Sequence, residues 1–335
     1  MSKEKPNFLA LYFILTPVIL IPVAVILFLL VRGDESEQLY NKALAAAAEG
    51  NYKLAAVEFE AAGKHGHAES YYSLARLYQS GKLPADNPQE MIYVNLIRAS
   101  LHGSIPAAYE LGRLSLLPPE VDFSQAALYF HTAALGGHPQ AQLELGKLYE
   151  HGKGVKKSAL LAQEFYHKAA VQGCAEAQTA LGILLITGND GKPDHIRAEK
   201  FLLQAAGQRY AKAFTALGVI REQAAAKNPD NAVLDAQAGE FYKLAAGLDD
   251  PEGLVNYGDW LIKHDNSADA LANYRQAVEK HNFAPAMHRM GVYYFKQQDH
   301  KQAKKYFEQA AALGYAPSQK NLQIMADKLA APATP

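Results

Sequence analysis

The chain has 335 residues, with 33 basic and 34 acidic side chains for a net charge of −1, 49% apolar residues and one cysteine. No net field draws it to nucleic acid or to an anionic surface. A lone cysteine, Cys174, excludes an internal disulfide and a cysteine-pair zinc site.

Residues 1–7 form a short leader carrying Lys3 and Lys5. Residues 8–31 come next, 24 positions without an acidic or basic side chain. As a helix this run measures about 36 Å, more than the ~30 Å hydrocarbon core of a bilayer. Pro17 and Pro22 lie inside it, where membrane helices accept them as bends. A cleavable signal peptide has a shorter apolar centre, about 7–15 residues, ending in small side chains. Here the run ends Phe28-Leu29-Leu30-Val31-Arg32, and an uncleaved single transmembrane anchor is expected. The positive leader faces Asp34-Glu35-Ser36-Glu37 across the span. That bias puts the N-terminus in the cytoplasm and the remainder outside it, which in a bacterium is the periplasmic side of the inner membrane. Residues 32–36 are a linker, so short that the segment from residue 37 onward is held close to the bilayer.

From residue 37 the chain repeats. An apolar residue precedes glycine at Leu111-Gly112, Leu145-Gly146, Leu181-Gly182, Leu217-Gly218, Tyr257-Gly258 and Met290-Gly291, with Leu74-Ala75 a degenerate copy, and successive glycines are 34, 36, 36, 40 and 33 residues apart. A small pair marks the other end of each unit: Ala99-Ser100, Ala133-Ala134, Ala169-Ala170, Ala205-Ala206, Ala245-Ala246, Ala277-Val278 and Ala311-Ala312. Apolar positions three and four apart on both segments predict two amphipathic helices per unit, here called A and B. The glycines and alanines are expected to leave room where helices cross.

The run from Ala141 through Leu145-Gly146, Tyr149, Gly152-Lys153-Gly154-Val155, Ala162 and Ala169-Ala170 to Gly173 resembles the Sel1-like repeat family, a relative of the tetratricopeptide repeat. The resemblance covers residues 37–330 and implies an all-α solenoid of helix-turn-helix repeats behind the transmembrane helix. Departures are visible. Leu117-Pro118-Pro119 stands where the second unit should have its glycine turn, and the fifth has a longer turn through residues 226–231. The last unit, with Tyr306-Phe307-Glu308-Gln309-Ala310, is closer to a plain tetratricopeptide repeat. Residues 37–63 read as an N-terminal cap, 317–330 as a C-terminal cap and 331–335 as a frayed tail.

No catalytic constellation is readable. The run from Gly152 to Ser158 lacks the glycine before the lysine and the preceding strand of a phosphate loop. His65-Gly66-His67 has no partner set for a metal, and Asp249, Asp250 and Glu252 fit a helix cap. No cofactor or metal is expected.

In the repeat register, the residues three before and one after the marker glycine should line a concave face. Three before gives Tyr72, Tyr109, Leu143, Thr179, Thr215, Val255 and His288; one after gives Arg76, Arg113, Lys147, Ile183, Val219, Asp259 and Val292. Basic groups beside aromatics in the first units suit an acidic peptide, a carboxylate terminus or an anionic sugar, and the sixth unit presents Asp259 beside Trp260 as a further partner-binding position. The expected function is a non-catalytic scaffold for one or more envelope proteins, since the resemblance implies adaptors in secretion, cell-wall and envelope assembly. A cytoplasm-facing regulatory adaptor and a direct binder of wall or exported glycan are the competing readings.

Overall fold

The computed structural model describes residues 35–187, 193–228 and 230–330. The segment read as an anchor, residues 8–31, and the tail 331–335 lie outside the described residues. Among the described residues no helix is long and apolar enough to cross a membrane, and every regular element is an α-helix. Glu35 and Ser36 are already helical, so the first helix starts before the linker was expected to end.

The chain divides into two compact units after Ser158. The first holds α1 (35–48), α2 (Tyr52–Lys64), α3 (Ala68–Gln79), α4 (Pro88–Leu101), α5 (Ile105–Leu114), α6 (Phe123–Leu135) and α7 (Pro139–His151). The second holds α8 (Ala159–Val171), α9 (Ala175–Thr187), α10 (His195–Gly207), α11 (Ala211–Lys227), α12 (Ala232–Gly247), α13 (Pro251–Lys263), α14 (Ser267–His281), α15 (Ala284–Lys296), α16 (His300–Ala312) and α17 (Ala316–Ala330). Within each unit the helices stack in chain order as a stretch of α-solenoid.

The marker glycines are slots for large side chains. A Cβ on Gly112 would lie 2.6 Å from the Phe130 ring, one on Gly182 2.6 Å from Leu202, and one on Gly218 2.4 Å from Tyr242. Gly258 faces Tyr274 at 2.4 Å and Gly291 faces Phe307 at 2.6 Å. Each occupant comes from the B helix of the same pair and is almost fully buried, Leu202 and Phe130 at 0% exposure. Gly146 is likewise buried, on α7.

The alanine marks do more than leave room. At the end of most B helices an alanine at or beside the mark accepts a hydrogen bond from the residue just after a left-handed position: Ser104 N–H donates to Ala99 at 2.9 Å, His138 to Ala133 at 3.0 Å and Cys174 to Ala169 at 3.2 Å. Tyr210 to Ala205, Asp250 to Ala245 and Tyr315 to Ala310 repeat it at 3.1–3.2 Å. This six-to-one closure caps the helix and sends the chain into the next A helix. The left-handed residue is Gly103, Gly137 or Gly173 in the earlier turns but Arg209 and Asp249 in later ones.

Loops between A and B vary in length yet close alike: Asp122 N–H donates to Ser115, Ser158 to Tyr149 and Asp194 to Leu185, at 2.8–2.9 Å. The proline turn of the second unit thus does what the glycine loop does in the third. In that third loop Gly154 sits against the Phe123 backbone, where a Cβ would come within 2.2 Å. Most B helices start on an Asx cap; Asp122, Asp194 and Asp299 accept from backbone N–H groups at 2.9–3.0 Å.

Candidate interaction surfaces

On the first unit, α3, α5 and α7 present the expected residues together with two acids the register had not singled out. Pro139 at the start of α7, and Ile105-Pro106 at the start of α5, set the helical φ where no donor is needed. Gly112 faces Phe130 on the inner side of α5, so Arg113, one residue or 100° further round, points to solvent. The Arg113 guanidinium meets Glu110 at 3.3 Å, and Lys147 meets Glu144 at 2.9 Å. The stripe therefore alternates in sign along Arg76, Glu110, Arg113, Glu144 and Lys147. Arg76 is exposed and makes no ion pair or side-chain hydrogen bond among the described residues.

Two adjoining hollows lie along this stripe. One, about 260 Å³, is lined by Tyr72, Arg76, Gln79, Ile92, Glu110 and Leu114. Its neighbour, about 380 Å³, is lined by Gln79, Tyr109, Glu110, Arg113, Leu114, Leu117 and Glu144. They share Gln79, Glu110 and Leu114. Tyr109 stacks on His138 with ring centroids 4.3 Å apart, and His138 Nδ1 accepts from the Ala141 N–H at 3.3 Å. Burial pushes the Tyr109 phenol up and holds His138 below the ordinary histidine value, against the opposing pull of Glu110.

Not every expected surface position is at the surface. Leu143, Thr179, Thr215, Val255 and His288, each three before a marker glycine, are 3–7% exposed; only Tyr72 and Tyr109 of that set are partly open. Three residues back is 300° of helix, so this position lies within 60° of the inward glycine. There it serves the interior: Thr215 Oγ1 donates to Asp250 at 2.9 Å, and His288 Nδ1 lies 2.9 Å from Ser318 Oγ. The residue after the glycine does face outward, exposed at Ile183 and half-buried at Val219 and Val292.

In the second unit the two residues expected to meet a partner are engaged internally. Asp259 accepts from Tyr274 at 2.6 Å and from Arg289 Nε at 2.8 Å on both oxygens. The Trp260 indole fits against Gly239, whose Cβ would come within 2.4 Å of it. Its N–H donates to the Asp235 backbone at 3.1 Å, and His264 packs against the ring at 4.1 Å. Asp235 also holds Lys263 at 2.5 Å and His264 at 2.7 Å. Burial would raise the Asp235 carboxyl, but those two hydrogen bonds outweigh it and keep it below the usual carboxylate value.

The other polar clusters singled out in the sequence are also structural. His65 and His67 meet Glu35 and Glu37 at 3.5 and 3.2 Å. Asp250 caps α13 through the Gly253 N–H at 2.8 Å, while Asp249 binds Gln276 at 2.6 Å. Among the described residues no group of histidine, cysteine and acidic side chains is arranged to hold a metal.

Comparison with known proteins agrees with this architecture. The Sel1 repeat family profile matches residues 68–90, 105–138, 139–174 and 175–210, and the tetratricopeptide repeat profile matches 284–314. Among solved structures, a protective antigen of uropathogenic Escherichia coli strains displaying an SLR fold is similar at TM-score 0.67 and 23% identity, over 86% of this chain and 63% of that one. A Sel1 repeat protein from Oxalobacter formigenes is similar at TM-score 0.60 and 23% identity, over 73% of this chain and 97% of that one. Identity at this level establishes the fold alone, and the chain spans less than two thirds of the first relative. No curated protein matches. Residues 68–90 and 105–210 thus match Sel1 repeats and residues 284–314 a tetratricopeptide repeat.

Proposed function

We propose that this Sel1-like repeat protein is a non-catalytic scaffold, tethered to the bacterial inner membrane by residues 8–31 with its repeats in the periplasm, whose α3–α5–α7 face captures an envelope protein. Repeat proteins of this kind bind other proteins. The observation that carries the assignment is Arg76. It is an exposed guanidinium without a partner among the described residues, beside Tyr72 in a hollow that continues past Arg113.

A guanidinium takes a carboxylate through paired N–H bonds, and the neighbouring tyrosines supply apolar area with polar edges. Glu110 and Glu144 set a constraint on the ligand. A uniformly acidic segment would meet repulsion at both, whereas one whose carboxylates are separated by apolar or basic residues would not.

The test is capture of a labelled acidic peptide, and of envelope proteins by in-cell crosslinking at Tyr72 and Tyr109, by the full-length protein. Arg76→Glu with Arg113→Glu should weaken peptide binding at least about tenfold with unchanged circular dichroism. Equal binding by the double variant would reject the face. A reporter fused after Pro335 that is active only in the cytoplasm would reject the topology, and retention on purified glycan without any protein would favour the polysaccharide reading.

A further inference from the structure

We infer that the edge of the first unit formed by its B-to-A turns is a membrane contact, where Leu101 and Leu135 enter the boundary between headgroups and acyl chains of the lipid bilayer. This rests on the reading of residues 8–31 as a membrane anchor, and it adds which side of the repeats the bilayer covers.

Chain geometry places this edge. The Glu35 carboxylate, at the start of α1, lies 3.5 Å from His65 Nδ1 in the turn after α2, and Glu37 lies 3.2 Å from His67 Nε2 in the same turn. The described chain therefore starts at the level of the B-to-A turns. Glu35 is four Cα steps past Val31, the last residue of the uncharged run. Four steps span at most about 14 Å, and the headgroup layer takes about 5–8 Å of that. The turn that holds Glu35 is thus kept at the surface of a bilayer that the run crosses.

Side chains along this edge suit that surface. The last residue of each B helix in the first unit stands two after the alanine that closes the turn: Lys64 on α2, Leu101 on α4 and Leu135 on α6. Leu101 is 81% exposed and Leu135 71%, more than any other large apolar side chain among the described residues of this unit. Single exposed leucines are ordinary; here the repeat sets two of them at one structural position. The same position in the second unit reads Val171, Gly207, Gly247 and Ala312, so the leucines belong to the repeats nearest the anchor in sequence.

Charge plays the smaller part. Lys64 and Arg98 share one acid, Glu60, at 3.5 and 3.7 Å. Their long stems keep the cations among the headgroups while the leucines go deeper. The contact is therefore an apolar insertion that salt does not screen.

The test is fluorescence quenching on the full-length protein in vesicles of phosphatidylethanolamine and phosphatidylglycerol in equal amounts, carrying lipids with a shallow or a deep nitroxide. A polarity-sensitive fluorophore is attached to single cysteines in a Cys174→Ser background. Leu101→Cys and Leu135→Cys probe the edge, and Leu20→Cys probes the anchor. Leu117→Cys lies in the opposite A-to-B loop, and Leu128→Cys is seven residues, or about 10 Å, up α6 from Leu135. The labelled positions on the repeats are all exposed.

Labels at Leu101→Cys and Leu135→Cys should shift to the blue and be quenched by the shallow nitroxide several-fold more than those at Leu117→Cys and Leu128→Cys. Leu101→Ser with Leu135→Ser should cut the quenching of a label at His102→Cys several-fold, in low and high salt alike. Equal quenching at all four repeat positions, or none at the two edge positions while the deep nitroxide quenches Leu20→Cys, would overturn the membrane edge and leave the tether standing. An unquenched label at Leu20→Cys would reject the tether and the edge with it. Loss of edge quenching in high salt would overturn apolar insertion.

Discussion

The two units use one helical skeleton to different ends. In the first, the residues one step beyond the marker position are all basic; Arg113 and Lys147 pair with Glu110 and Glu144, and Arg76 is left without an ion pair among the described residues. In the second, the equivalent positions are Ile183, Val219 and Val292, and the charged exception, Asp259, is tied to Arg289. Inward positions hardly differ: Gly112 on Phe130 and Gly258 on Tyr274 are the same slot. The inner face is constrained by packing and the outer face is free to vary, so the two units differ most at the residue one step beyond the glycine.

The largest expected effect tests whether the slots are equivalent. Phe130→Ala in the first unit and Leu202→Ala in the second each empty a fully buried position; we expect losses of about 3–5 and 2–5 kcal/mol in urea unfolding. A loss below about 1 kcal/mol in either would mean that the slot collapses around the deletion. Trp260 is the only tryptophan, so its fluorescence tracks the second unit while circular dichroism tracks both.

Next, Thr215→Val removes a donor from Asp250, which is 5% exposed. Asp250 keeps the Gly253 N–H, and the second unit should lose about 1–3 kcal/mol. Thr179→Val, at the equivalent position, removes only a bond to its own helix at the Ala175 carbonyl and should cost less.

Acid should then separate the units. Burial holds His138 in the first below its ordinary value, and burial with Arg289 alongside does the same for His288 in the second. The unfolded chain takes up these protons first, at a pKa of about 6.5. The stability they contribute is therefore complete above that pH and lost as pH falls through the folded values. Asp235 in the second unit has a depressed carboxyl, so its contribution is lost only below about pH 4. Hydrogen exchange against pH should show His138→Asn flattening the slope near pH 6 in the first unit, and Asp235→Asn flattening the slope below pH 4 in the second.

The smallest effect concerns the left-handed turn residue. Arg209 at φ +60° should gain roughly 0.5 kcal/mol as glycine, the difference between left-handed strain and the extra entropy of glycine. Gly137, with nothing within 4 Å of its Cβ position, should lose a similar amount as arginine. Thermal midpoints would check the pair.

Much of this skeleton was legible because the glycine period comes directly from helix pairing. The occupants of the slots were not, because Phe130, Leu202, Tyr242, Tyr274 and Phe307 lie 16 to 24 residues beyond their glycines, as the intervening loops vary. A fixed signal was nevertheless present. Each occupant stands three residues before the alanine that closes the next turn, as Phe130 does before Ala133 and Tyr274 before Ala277. Glu110 and Glu144 were equally visible, three residues before Arg113 and Lys147. The interior fate of Thr215 and His288 was not, because their acceptor and partner, Asp250 and Ser318, come from the next repeat. Likewise, only the fold shows that Asp259 and Arg289, 30 residues apart, form a single group.

The bonds from Asp122 to Ser115, Ser158 to Tyr149 and Asp194 to Leu185 give the array a practical freedom. Each acts as a staple at the base of a loop, so whatever lies beyond it can lengthen, shorten or change composition without altering how the flanking helices meet. The B-to-A turns have far less of that freedom: all but one close five residues back on an alanine carbonyl, and the turn after α14 is longer by a single residue. New sequence, whether introduced by evolution or by an engineer inserting a tag, should therefore be tolerated in the stapled loops and rejected at the alanine turns.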